Sequence, residues 1–226
     1  MPSSQKNAVR PLQADRTPGL FGFSRKQRRI LWYTFAAIVL AGAGAWTYIY
    51  IGSAPQRARL QYDDAMRMMK PGYYQLAIES FDRAIKTWPG LADAYFERGN
   101  AYQILNRDDD ALADFEKAAD VNPNLYRAYA AMGSIYRSRK DYKRAMDAYT
   151  KSLAAKPNVD ALFERGQTYE LLGEHQKAIE DYDKAIVELP DAPAVYRARG
   201  LSRRNLGDEA GYDADRDMAN RIEHRQ

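Results

Sequence analysis

The stretch DAYFERGNAY (residues 93–102) returns 67 residues later as DALFERGQTY (residues 160–169). Asp, Phe, Glu, Arg, Gly and Tyr recur in register. Midway between the two lies a weaker copy, AYAAMGSIY (residues 128–136). The spacing sets a period near 34 residues, and a fixed period of that size marks a repeat array in which each unit packs on its neighbours.

Other residues keep the same beat. Prolines stand at Pro89, Pro123, Pro157 and Pro190. Alanines stand at Ala77, Ala111, Ala145 and Ala178, each followed four residues on by an aromatic (Phe81, Phe115, Tyr149, Tyr182). A small residue follows three later (Ala84, Ala118, Ser152, Ala185). Glycines stand at Gly99, Gly133, Gly166 and Gly200, the first three followed by Tyr102, Tyr136 and Tyr169. Small residues belong where helices cross closely, and large ones fill the gaps between.

In length and in this ladder of positions, residues 58–226 resemble the tetratricopeptide repeat. The resemblance implies an all-α solenoid of about five helix-turn-helix repeats, phased 58–91, 92–125, 126–158, 159–192 and 193–226. On this reading Tyr95, Tyr102, Leu105 and Phe115 are interior, as are Tyr129, Tyr136 and Tyr149, then Leu162, Tyr169 and Tyr182. The end repeats depart from the pattern. Gln61 and Ala65 replace the usual aromatic and glycine of the first, and Arg203, Tyr212 and Arg216 replace core residues of the last. The final helix, with Asp213, Asp215, Arg216, Asp217, Asn220 and Arg221, is expected to give the solenoid a polar end.

Upstream of the array the composition changes. Residues 1–29 hold seven Lys or Arg against one acid, Asp15. They also hold Pro2, Pro11, Pro18, Gly19 and Gly22, so a disordered tail is expected. The same breakers argue against the amphipathic helix of a mitochondrial transit peptide. Residues 30–51, from Ile30 to Ile51, are 22 uncharged residues. As a helix they extend about 33 Å, enough to cross a hydrocarbon core of about 30 Å. Trp32 and Tyr33 near one end, and Trp46, Tyr48 and Tyr50 near the other, suit the two interfaces. A transmembrane helix is therefore expected. Arg25, Lys26, Arg28 and Arg29 before it place the N-terminus in the cytoplasm and the repeats periplasmic, at a bacterial inner membrane; a mitochondrial inner membrane is the alternative. A cleaved signal peptide with an Ala43-Gly44-Ala45 site competes, but the apolar run continues past that site through WTYIYI. Gly52-Ser53-Ala54-Pro55 reads as a break, making 52–57 a linker.

The net charge of +4 is accounted for by the tail, so nucleic-acid binding by the array is not implied. The chain has no cysteine, which excludes disulfides, thiolate metal sites and a cysteine nucleophile. His175 and His224 are its two histidines. Neither stands near a nucleophile motif, and glycine-rich phosphate loops and HExxH are lacking. Asp108, Asp109 and Asp110 do not have calcium-loop spacing and fall where a helix N-terminus favours acids. No enzyme activity, cofactor or metal is expected.

What the resemblance does imply is a concave groove lined by the first helix of each repeat. The family's groove positions fall on Asp93, Phe96, Glu97, Asn100 and Gln103; on Arg127, Ala130, Ser134 and Arg137; on Asp160, Phe163, Glu164, Gln167 and Glu170; and on Arg197 and Arg204. Acidic stripes alternate with basic ones. Two readings follow: a groove for a protein or extended peptide, with Phe96 and Phe163 as anchors, or charges that pair between neighbouring repeats. The lysine-and-asparagine clamp by which chaperone-binding members take a terminal carboxylate is matched at Asn100 alone; Phe96, Ala131, Asp160 and Glu164 hold its other positions, and two acids repel a carboxylate. The function expected is a membrane-anchored scaffold assisting assembly of an envelope or membrane complex. The alternative is an integral accessory subunit whose span packs on the transmembrane helices of partner proteins.

Overall fold

The computed structural model describes residues 25–224, with side chains for 32–42 and 53–224. Ten helices and no strand occur among them. The chain divides into two units, residues 1–51 and 52–226.

In the first unit, α1 (Arg25–Arg67) begins at Arg25 and continues into the second unit. The expected tail is therefore helical over its last five residues, and the expectation for residues 1–24 lies outside the described residues. Residues 52–57 are helical too, with Pro55 inside α1. A lone proline removes one N–H and crowds one carbonyl, and α1 continues through it into the strong helix formers Gln56, Arg57, Ala58, Arg59 and Leu60. The linker expectation is corrected on this point. Among the described residues no helix is long and apolar enough to cross a membrane. Only 32–42 of the expected 30–51 span have described side chains, and there Trp32, Tyr33, Phe35, Ile38 and Leu40 are each about two-thirds exposed.

The second unit is a stack of helical hairpins. The end of α1 pairs with α2 (Tyr74–Thr87), sharing a core of Ala58, Tyr62, Ala65, Ala77, Phe81 and Ala84. After it come α3 (Ala92–Ile104) with α4 (Asp108–Val121), α5 (Tyr126–Ser138) with α6 (Tyr142–Ala155), α7 (Val159–Leu171) with α8 (His175–Glu188), and α9 (Pro193–Asn205) with α10 (Glu209–Glu223). Each second helix also packs on the next first helix, and α7 touches both α5 and α9.

The periodic residues explain why the chain folds this way. A Cβ at Gly99 would lie 2.6 Å from Phe115, one at Gly133 2.6 Å from Tyr149, and one at Gly166 2.5 Å from Tyr182. Each ring fills the space beside the glycine of its partner helix and is fully buried. The turns repeat as well: Gly72, Asn106, Lys140, Gly173 and Gly207 all have positive φ, between 57° and 86°. Such a residue lets the next N–H reach back to the last helical turn, as Arg107 does to Tyr102 at 2.9 Å and Asp141 to Tyr136 at 2.9 Å. Second helices end before proline. Trp88, Asn122 and Lys156 are extended at their C-caps and precede Pro89, Pro123 and Pro157, because a residue before proline is forced out of the helical region. Leu105, expected inside, is 37% exposed at its turn.

A buried ion-pair ladder runs through the stack. Arg98 meets Asp114 with two hydrogen bonds of 2.7 and 2.6 Å, Arg165 meets Asp181 at 2.7 and 2.8 Å, and Arg199 meets Asp215 at 3.0 and 2.6 Å. Each arginine also reaches the preceding second helix: Arg98 to Asp82, Arg165 to Thr150, Arg199 to Asp183. Three-way fixing of a planar guanidinium locks the stacking distance between repeats. The third repeat has Met132 and Ala148 in those places.

Candidate protein-binding groove

The expected groove residues lie on α3, α5, α7 and α9, as the helical spacing demands. Much of their charge is paired from repeat to repeat. Arg127 of α5 reaches Asp93 at 3.4 Å and Glu97 at 3.9 Å on α3. Arg137 meets Glu164 of α7 and donates to Gln167 at 3.0 Å. Asn100 donates to Glu97 at 3.0 Å. Arg197 turns away, to Glu223 of α10 at 2.7 Å. The reading in which charges pair between neighbours thus holds for Asp93, Glu97, Arg127, Arg137 and Glu164.

The anchor role expected of Phe96 is corrected. Its ring is 7% exposed, sits 5.6 Å from the Phe115 ring, and lies under the Arg127 guanidinium at 4.7 Å. An aromatic one turn from a repeat glycine is drawn into the interior by the ring that fills that glycine's space. Phe163 follows it in part, half-buried and 5.9 Å from Tyr182. Asp160 is exposed and Gln103 half-buried.

An open concavity remains at the far end. Between α5, α7 and α9 a cavity of about 450 Å³ is lined by Arg137, Gln167, Glu170, Leu171, His175, Leu201, Arg204 and Asn205. Four of these were expected in the groove: Arg137, Gln167, Glu170 and Arg204. Leu171 and Leu201, 58% and 43% exposed, supply its apolar surface. Leu201 was missed, although its column shows it: Asn100, Ser134 and Gln167 stand there in the other repeats. Glu170 accepts from Ser202 at 2.6 Å, which ties α7 to α9 beneath the cavity. Arg204 lies over the Tyr212 ring at 4.7 Å.

Beneath the groove, burial pushes the Tyr149 and Tyr182 hydroxyls well up, with Glu164 and Glu170 adding to it. Asp108 and Asp109 are paired to Arg139, and Asp110 to Arg107. Among the described residues no cluster of acids and histidines could hold a metal ion.

The family model of the tetratricopeptide repeat matches residues 92–125, and a second model of the same repeat matches 130–193. Residues 92–125 and 130–193 are tetratricopeptide repeats. Relatives of this chain include anaphase-promoting complex subunit 3 of Schizosaccharomyces pombe, 31% identical over 140 residues, 59% of this chain and 21% of that one. The Hsp70-Hsp90 organizing protein of Triticum aestivum is 28% identical over 131 residues, 58% of this chain and 21% of that one. The chain thus spans about a fifth of the length of these two relatives. Among solved structures, MamA superposes with a TM-score of 0.63 at 25% identity, over 68% of this chain and 91% of that chain.

Proposed function

We propose that this protein is a membrane-anchored tetratricopeptide adaptor that holds a protein partner in its groove and assists assembly of an envelope or membrane complex. The observation that carries the reading is the concavity between α5, α7 and α9, where exposed leucines adjoin Arg137, Arg204 and Gln167. Apolar surface edged by Arg204, Arg137 and the Glu170 carboxylate suits an extended segment with aliphatic and charged side chains. One relative is named an organizing protein, which by analogy is in keeping with a binding role, though it is the site that carries the reading.

The anchor is proposed from residues 30–51, uncharged throughout, and from the large exposed apolar side chains of 32–42. A helix so apolar on all sides needs lipid or protein around it. The four basic residues before it favour a cytoplasmic N-terminus and an extracytoplasmic array.

The test is photo-crosslinking in membranes from a probe placed at Leu201, comparing the parent chain with Arg137→Glu/Arg204→Glu. Loss of the crosslinked partner, with helical content unchanged, is the result expected. Equal capture by the charge-reversed chain refutes the groove. A reporter active only outside the cytoplasm, fused after Gln226, tests the topology; an inactive fusion refutes it.

A further inference from the structure

The repeat columns reveal a vacancy on the opposite side of the stack. Tyr95, Tyr129 and Tyr196 occupy one column, and repeat four has Leu162 in it. Tyr95 and Tyr196 are each 8% exposed. Tyr196 shares a buried cluster with Ala219 and Ile222, and Ile186 and Met218 pack against that cluster. The equivalents of Ile186, Met218 and Ile222 in repeat four are Leu153, Lys184 and Glu188. These same residues line a cleft of about 400 Å³ between α6 and α8, together with Pro157, Leu162, Arg165 and Val187. The missing ring has left an apolar hollow, and Val187 stands 78% exposed at its rim.

The hollow keeps the electrostatic half of the tyrosine site. In repeats two and five the laddered arginine faces the ring of this column, Arg98 at 5.7 Å from Tyr95 and Arg199 at 5.4 Å from Tyr196. In repeat four Arg165 is held just as rigidly, by Asp181 and Thr150, and it lines the cleft. Leu162 offers it no aromatic face. A fixed cation beside an apolar slot is complementary to the negative face of an aromatic ring. An aliphatic occupant would fill the space without answering that charge.

We infer that the cleft between α6 and α8 is a docking site for a tyrosine or tryptophan side chain carried by a partner protein, seated where Leu162 replaces the tyrosine of the sister repeats. This site is separate from the groove, so one array offers two surfaces. Lys184 and Glu188 at the rim are placed to meet the backbone and neighbouring charges of the docking segment.

The experiment is a titration of the full chain with N-acetyl-tyrosinamide, followed by the methyl resonances of Leu153, with N-acetyl-leucinamide as the comparison. Saturable shifts are expected with the tyrosine amide, and a midpoint at least tenfold higher with the leucine amide. Leu162→Tyr fills the slot with the side chain the fold already accepts three times, and should raise the tyrosine-amide midpoint at least tenfold. Val187→Glu, at an exposed position, gives the same test without touching the interior. No saturable shift, an equal response to the leucine amide, or undiminished binding by both variants overturns the proposal. Self-association of the parent chain that Leu162→Tyr abolishes, seen by sedimentation, overturns the assignment to a partner protein and gives the slot to a second copy.

Discussion

Replacing Arg98 by Met removes both hydrogen bonds to Asp114, whose side chain is 8% exposed. Removing one member of a buried pair costs about 3–5 kcal/mol, because the other charge stays behind without a partner. Here a ceiling applies. Asp114 can take up a proton, which at pH 7 costs about 1.4 kcal/mol for each unit above a carboxyl pKa near 3.9, or about 4 kcal/mol. The Arg98→Met loss should therefore be about 3 kcal/mol. Asp114→Ala should cost less, about 1–2 kcal/mol, since Arg98 keeps Asp82 and carries its charge on a long stem that can reach water. The double variant Arg98→Met/Asp114→Ala copies Met132 and Ala148 of the third repeat and should lie within about 1 kcal/mol of the parent. For an array of this size about 3 kcal/mol lowers Tm by roughly 6–12 °C.

Acidity gives a second readout with a definite sign. Burial already holds the Asp114 carboxyl above its ordinary range, while Arg98 pulls it down. Without Arg98 it rises further. Between the ordinary pKa and the raised one the folded protein binds the extra proton, so stability falls as pH rises through that window and is recovered on acidification. The Arg98→Met defect should be largest at neutral pH and shrink toward pH 4. Urea denaturation of the single and double variants by circular dichroism, at two pH values, measures the coupling. An Arg98→Met loss under about 1 kcal/mol, or a double variant as unstable as the two singles summed, refutes the argument that the ladder is a paired unit.

Gly166→Ala should cost about 1–3 kcal/mol, because its Cβ would fall 2.5 Å from a fully buried Tyr182 ring; thermal denaturation measures it. Lys140→Gly should raise stability by about 1 kcal/mol, since Lys140 holds a φ of 61° that costs a side-chain-bearing residue about that much; an unchanged Tm counts against it. Tyr182→Phe should be close to neutral, because the hydroxyl it removes is buried beside the Glu170 carboxylate without a hydrogen bond of normal length. In the parent chain Tyr149 and Tyr182 titrate above the unfolded value near 10, so their contribution is complete below pH 10 and is lost as pH rises beyond it. Tyrosinate absorbance should then appear together with loss of helix, and its appearance in a still-folded chain would contradict the burial.

The array was legible because its constraints are steric and periodic. Gly99 with Phe115, Gly133 with Tyr149 and Gly166 with Tyr182 are one contact written three times, and a contact that recurs at 34 residues is visible without coordinates. The prolines worked the same way, each ending a second helix by forcing the residue before it out of the helical region. The arginine ladder carried the same period and was overlooked, since Arg98 and Asp114 are 16 residues apart and nothing local announces that they meet. Its sign was the joint exchange in repeat three, where both partners become apolar together. Gly52-Ser53-Ala54-Pro55 misled for a related reason: its local preferences read as a break, and the helix runs through it into the helix formers from Gln56 onward.

The groove was harder to read because a stripe of residues says where side chains start and not where they end. Phe96 and Arg127 share the expected stripe, but the Phe115 ring that covers Gly99 also offers Phe96 an apolar neighbour, and Arg127 closes over it. Burial of that ring leaves the N-terminal half of the groove spanned by its own ion pairs. In the C-terminal half Leu201 interrupts a polar column, Glu170 is engaged by Ser202, and Arg204 leans on Tyr212, so the cavity stays open. The asymmetry follows from single departures from the repeat, and so does the Leu162 hollow on the other face. In a protein whose interior is fixed by repetition, the positions free to carry recognition are those where one copy differs from its sisters.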